Sequence, residues 1–472
     1  MKKLLIVVTA VMALVVASCK KPDNTPANTG YQWGQTLSSD TIPAILSGTL
    51  AAGKTYYLYA STVIPAGDTL VIQPGCTIWV EPSVSNPPSI TVKGTLLSLG
   101  TQGSPIYISS FLKKETQAEA GSKDPAFTST SRWLGINGDV SCNLMVFKWT
   151  HVDFTGAEFG ATPPISALSP SSPSYAIFYQ NADLKGQFIL EDSWVYGSGV
   201  DAVRVQGGNI NVMRNTFEKC GYTGGNAINV QGGTLGNIAY NVVIGAATNG
   251  INVSNANAPA GGPETNILVY NNTIVNCGYR QSPQTGEGGS ITFEYGAEGQ
   301  AWNNLLIDCR VGLRMNSGAA APDITNVQYG YTYYYVDVDS TAGQIYPATY
   351  LTMPMATDIP TPTSYLYSGF TTGDTTGAVA ESLAVSIMVS KYNPIFINYA
   401  LPNYLPYFID YVGNYSFRLQ STSPAIGKGT TVLGANPNPA TITIDPNFGS
   451  SAITPIGGDP GAYQYNATGN QH

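Results

Sequence analysis

Charge is scarce in this chain. Of 472 residues, 21 are basic and 29 acidic, 11% in all, under half of the roughly 25% usual for a soluble domain. The formal balance of −8, with no basic run anywhere, argues against nucleic acid as a partner. Histidine is nearly absent. His151 and His472 are the two in the chain, which rules out a multi-histidine metal centre, and no resident metal is expected. Past residue 16 there is no long apolar run, so no later membrane-spanning helix is expected. No 3.6-residue apolar period persists, which excludes a helical architecture. Cysteine numbers six. Setting aside Cys19 in the leader leaves Cys76, Cys142, Cys220, Cys277 and Cys309, an odd set and a poor disulfide framework for an exported chain. What is abundant is turn chemistry and tyrosine: 51 Gly, 31 Pro and 30 Tyr.

The N-terminus reads as an export signal. Lys2 and Lys3 precede the apolar run Leu4 to Val16, too short to span a bilayer and followed by a cleavage pattern. Val16-Ala17-Ser18-Cys19 resembles the bacterial lipobox. Residues 1–18 are therefore expected to be a lipoprotein signal peptide, with Cys19 the lipidated first residue of the mature chain. Residues 19–43 would be that cysteine and a flexible polar tether.

The middle of the chain repeats. Ala202-Val203-Arg204-Val205-Gln206, Ala227-Ile228-Asn229-Val230-Gln231, Gly250-Ile251-Asn252-Val253-Ser254, Ser290-Ile291-Thr292-Phe293-Glu294 and Gly312-Leu313-Arg314-Met315-Asn316 share one pattern. Each alternates apolar and polar with the period of a half-buried strand. Ala176-Ile177-Phe178-Tyr179-Gln180 starts the series, and successive copies are offset by 26, 25, 23, 40 and 22 positions. A second string runs in step, opening on Asn215, Asn241, Asn272 and Asn304. Five residues beyond these lie Cys220, Ala246, Cys277 and Cys309, a stack of small buried side chains. One asparagine per repeat suits a bend that needs the left-handed conformation, and stacked amides can bond along the pile. The whole predicts an all-β, right-handed, single-stranded parallel β-helix. It would occupy residues 44–465, with irregular closing coils from about 320 and a 466–472 tail.

These strings look like the repeats of the pectate-lyase-like superfamily. The early coils around Gly67-Asp68-Thr69-Leu70 and Pro74-Gly75-Cys76 resemble exported β-helix lipoproteins of Bacteroidetes type. So do the late segments Asn393-Pro394-Ile395-Phe396, Ser423-Pro424-Ala425-Ile426 and Asp459-Pro460-Gly461-Ala462-Tyr463, which resemble a closing coil. The resemblance is specific for fold and weak for activity.

Alternation places Val203 and Val205 inward and Arg204 and Gln206 outward. One sheet face then carries two ladders. The first is Phe178, Arg204, Asn229, Asn252, Thr292 and Arg314, and the second Gln180, Gln206, Gln231, Ser254, Glu294 and Asn316. Rungs stack about 4.8 Å apart, near the advance per sugar of an extended polysaccharide. Amides, two arginines and an edge aromatic suit polysaccharide binding. The 40-residue step adds two loops, Asn255 to Glu264 and Gly278 to Gly288, expected to wall that face. A plain solvated face has the same composition.

The superfamily also implies a lyase reading. Arg204 or Arg314 would be the base, and Asp201 or Glu294 would be partial ligands for Ca²⁺ facing a uronate. Against this, Asn226, Asn249 and Gly289 take the place of Asp201 in neighbouring rungs. A hydrolase reading lacks both an Asp-Asp pair and a Gly-His-Gly. His151, in Trp149-Thr150-His151-Val152, reads as a strand residue without catalytic neighbours. The tyrosine-rich segments 329–350 and 399–415 read either as stacking platforms for sugars or as covers for the last coils. The expectation is a lipid-anchored monomer of the cell envelope, on the outer membrane and surface-exposed, binding polysaccharide and leaning away from catalysis. A uronate lyase and a structural or adhesive surface protein are the alternatives.

Overall fold

The computed structural model describes residues 31–81, 86–110, 132–181, 183–281, 288–316, 318–336, 393–399, 416–434 and 455–471. The leader, Cys19 and most of the tether lie outside these residues. Each coil lays one short strand into each of three sheets in turn. The first sheet has ten strands, Gly48–Leu50 through Val327–Gly330. The second also has ten, Thr55–Leu58 through Tyr333–Tyr335. The third has nine, Thr62–Ile64 through Leu313–Met315. All neighbours within these sheets are parallel, and consecutive coils stack in order, as the repeat implied. The protein is a right-handed parallel β-helix.

The interior is a column of aliphatic side chains. Val203, Ile228, Ile251, Ile291 and Leu313 point into it from the third sheet. Cys220, Ala246, Cys277 and Cys309 stack there as the spacing suggested, all buried as free thiols or methyl. Burial pushes the thiols of Cys76 and Cys142 up to about 12, so they pack rather than react.

The asparagine ladder is present. Asn241 Oδ1 accepts from the backbone N–H of Asn215 at 3.0 Å and from its side-chain amide at 2.9 Å. Asn272 serves Asn241 in the same way, and Asn304 serves Asn272. One detail differs from expectation. The left-handed residues are those just before the ladder, Arg214, Tyr240, Asn271 and Asn303, with φ of 59, 57, 51 and 54°. That bend turns the next side chain inward, where an amide meets buried backbone donors that no strand partner satisfies. Asparagine is needed there for its two-sided hydrogen bonding rather than for its backbone tolerance.

Both ends of the described chain pack on the coils. Leu37 and Ile42 donate backbone N–H bonds to Thr49 and Tyr57, both at 2.9 Å, so residues 36–46 cap the first coil. Among the described residues beyond 336, no strand joins the three long sheets. Phe396–Asn398 and Ser416–Leu419 pair antiparallel, and Phe396, Phe417, Leu419, Ala425, Ala462 and Tyr463 cover the outer side of the second sheet. The expected tail is anchored: Asn470 is buried and donates to the carbonyls of Asn215 and Tyr240 at 3.2 and 3.1 Å. Tyr333, Tyr334 and Tyr335 are buried, which favours the covering reading for that part of the tyrosine-rich run. The remainder lies outside the described residues.

Candidate functional site: the outer ladder of the third sheet

Strand pairing reproduces the ladder. Phe178 faces Arg204, Arg204 faces Asn229, Asn229 faces Asn252, Asn252 faces Thr292, and Thr292 faces Arg314. Gln180, Gln206 and Gln231 run beside it, and Ser254 pairs with Glu294.

The rungs are tied into one network. Asp201, buried, is its hub. Its Oδ1 accepts from Asn226 N at 2.7 Å and Asn226 Nδ2 at 3.0 Å, while its Oδ2 accepts from Arg204 Nη1 at 3.1 Å and Asn229 Nδ2 at 2.9 Å. Asn229 Oδ1 accepts from Gln231 and Asn252. Asn252 Nδ2 reaches Glu294 Oε1 at 3.0 Å, and Glu294 Oε2 accepts from Asn316 at 2.6 Å. Arg314 donates to Asn316. A second strip joins Asn226, Asn249 and Thr292. Amides serve this purpose because each can accept from one rung and donate to the next.

Several atoms of this network keep unused capacity, Arg314 Nε and Nη1 among them. Asn252 Oδ1 and Arg204 Nε are buried without a hydrogen bond. In a network otherwise so well paired, such groups point to a ligand hydroxyl or to water.

Accessibility departs from the expectation of an open face. Asn229, Gln231, Asn252 and Arg314 are each under a tenth exposed. Arg204, Gln206, Glu294 and Asn316 remain partly open, so contact with solvent is made at the two ends. Phe178 is not an edge platform: it is buried among Leu134, Phe159, Ile165 and Leu168. Tyr175 takes that place, its ring 5.2 Å from the Arg204 guanidinium. Of the two expected walls, the loop after Ser254 reaches in, with Asn257 Nδ2 donating to Gln231 Oε1 at 2.9 Å. The other loop lies mostly outside the described residues. The lyase candidates Arg204, Arg314 and Glu294 do not converge as a catalytic set. Arg204 is bound to Asp201, and Arg314 shares Asn316 with Glu294.

Sequence reasoning missed a carboxylate cluster around the corner. Glu264, Glu298 and Asp323 bring oxygens within 4.8 Å of one another. Partial shielding, followed by the neighbouring Glu298 and Asp323, raises the Glu264 carboxyl, while the hydroxyl and N–H of Thr325 hold Asp323 down. An all-oxygen set suits a hard divalent cation. Glu298, however, already accepts from Asn266 and Asn326. The signal was available: Asn266 and Glu298 occupy one register position of the first sheet. His151 stacks between Tyr107 at 4.5 Å and Trp194 at 5.1 Å, a strand residue as expected. The Tyr107 and His151 rings lie near parallel, 24° apart, whereas His151 and Trp194 meet tilted at 59°.

Comparison with known proteins agrees on the fold. Residues 168–328 match the family described as the right handed beta helix region, a span that contains the ladder. No curated protein and no solved structure matches the chain. Among the described residues no helix is long and apolar enough to cross a membrane.

Proposed function

We propose that this β-helix binds polysaccharide along the outer face of its third sheet, held at the cell surface by a lipid on Cys19. The observation that carries the reading is the amide and arginine ladder itself, with Asn252 Oδ1 and Arg204 Nε left able to bond. Rungs recur every ~4.8 Å, so one chain could engage successive coils. Rigid strands hold the polar groups in place, which lowers the entropy cost of binding. The protein acts as a monomer on this reading, since the ladder lies along a single solenoid.

Native affinity electrophoresis of the mature chain, through gels cast with acidic and neutral polysaccharides plus Ca²⁺, tests this. Retardation is expected without loss of polymer stain. Arg204→Ala combined with Gln206→Ala, checked for fold by circular dichroism, should reduce it. Unchanged retardation in that variant would remove the ladder from the binding site. A cleared track would favour the second reading, a uronate lyase, for which the oxygen cluster of Glu264, Glu298 and Asp323 is the supporting observation. Free migration in every gel would leave a structural or adhesive role.

A further inference from the structure

We propose that Tyr295 is the stacking platform for a pyranose ring, and that the face it borders selects neutral polysaccharide over uronate chains. The inference rests on the glycan-binding reading above and refines it.

Tyr295 follows Glu294 directly, at the end of the third sheet's strand. In the rungs where Gln206 and Gln231 end the strand, the next residues are Gly207 and Gly232. All three backbones are left-handed there, with φ of 82, 68 and 53° for Gly207, Gly232 and Tyr295. Glycine takes this conformation without penalty, whereas a bulky side chain resists it. At Gly207 an added Cβ would also stand 2.6 Å from Leu184 Cδ2. A tyrosine thus occupies a position that glycine fills in two of the equivalent coils, with Asn181 and Asn255 following the strand in two others.

The fold gains little in return. Tyr295 is 49% exposed. Among the described residues its ring stacks on no other ring and its hydroxyl makes no hydrogen bond. Tyr59 and Tyr107, comparably exposed, stack on Tyr57 and His151 at 6.0 and 4.5 Å. A strained, open, unengaged aromatic beside the accessible end of the ladder is suited to the apolar face of a sugar ring. Strain of this kind points to function when the local structure gives no other reason for it.

Charge then sets the class of sugar. Four residues after Glu294 comes Glu298, in the cluster with Glu264 and Asp323. Arg204, towards the far end, is already matched by Asp201 at 3.1 Å, and Arg314, on the near rung, is under a tenth exposed and donates to Asn316, which Glu294 also holds. A uronate stacked on Tyr295 would lie beside Glu294, its partly open chain neighbour, and like charge across an interface rejects the wrong partner. A neutral pyranose meets no such barrier.

The test uses the mature protein in gels cast with β-glucan or xylan, and in others cast with polygalacturonate or alginate. Tyr295→Gly should run with at least threefold weaker association in a neutral gel, while its thermal midpoint stays equal or rises. Tyr295→Phe should keep the affinity. If the parent protein is retarded and Tyr295→Gly is retarded equally, the platform is overturned and the glycan-binding face survives. Retardation in the acidic gels alone overturns neutral selection. Retardation in no gel overturns this inference together with the binding function on which it rests.

Discussion

Arg204 donates from Nη1 to Asp201 Oδ2 at 3.1 Å, and Asp201 meanwhile accepts three bonds from Asn226 and Asn229 of the next rung. The arginine is the replaceable partner. Asp201→Ala should cost about 2–4 kcal/mol, because it strands donors of Asn226, Asn229 and Arg204 in buried positions. Arg204→Ala should cost roughly 1 kcal/mol or less, because Asp201 keeps three other bonds. Urea unfolding of the two variants would check the ordering, and equal losses would refute it.

Asn241→Ala removes the acceptor for two bonds from Asn215 and the donor to Val212 O and Asn272. All these groups are buried. The expected loss is about 2–4 kcal/mol. Tyr240, left-handed at φ 57°, should behave differently: Tyr240→Gly relieves the backbone but surrenders the ring and its bond to Pro455 O. Thermal melts of the two variants separate amide bonding from backbone conformation as the reason for this column.

Burial pushes the Asp153 carboxyl up to about 7, with a Ser109 hydrogen bond opposing the shift. A raised acid favours the folded state in its protonated form. Its contribution is therefore complete below the unfolded value near 4 and is lost as pH rises through about 7. Asp153→Asn should stabilise the protein at pH 8 by about 1–3 kcal/mol, discounted for partial exposure, and leave it nearly unchanged at pH 4. Melting temperature against pH would show the two curves converging at the acid end.

The last residues act as a strap. Asn271 donates to Asp459 O at 2.7 Å, Gly461 donates to Asn303 O at 2.8 Å, and Ala462 donates to Thr273 Oγ1 at 2.9 Å. Deleting residues 455–472 should uncover Tyr240, Ile244 and Leu305, lower the thermal midpoint and raise binding of an apolar dye. Unchanged dye binding would show that the strap is dispensable.

Phe178 shows where reading from sequence fails. Its rung was correct, because side-chain alternation is local and needs only the chain itself. Its exposure was not, because the covering residues Phe159, Ile165 and Leu168 lie in a segment with no period to follow. The Asn255 loop was likewise legible as an insertion, but its bond to Gln231 was not.

Period-two strings and their spacing determined the solenoid, its register and the buried amide column, since a parallel coil must place equivalent residues one above another. The same repetition identified Arg204, Asn229 and Asn252 as one ladder. Only the tertiary structure decided which rungs stay open, that Asp201 neutralises Arg204, that Glu264, Glu298 and Asp323 converge, and that the C-terminus doubles back over the second sheet. Those outcomes depend on segments distant in sequence, and no local pattern encodes where such a segment comes to rest.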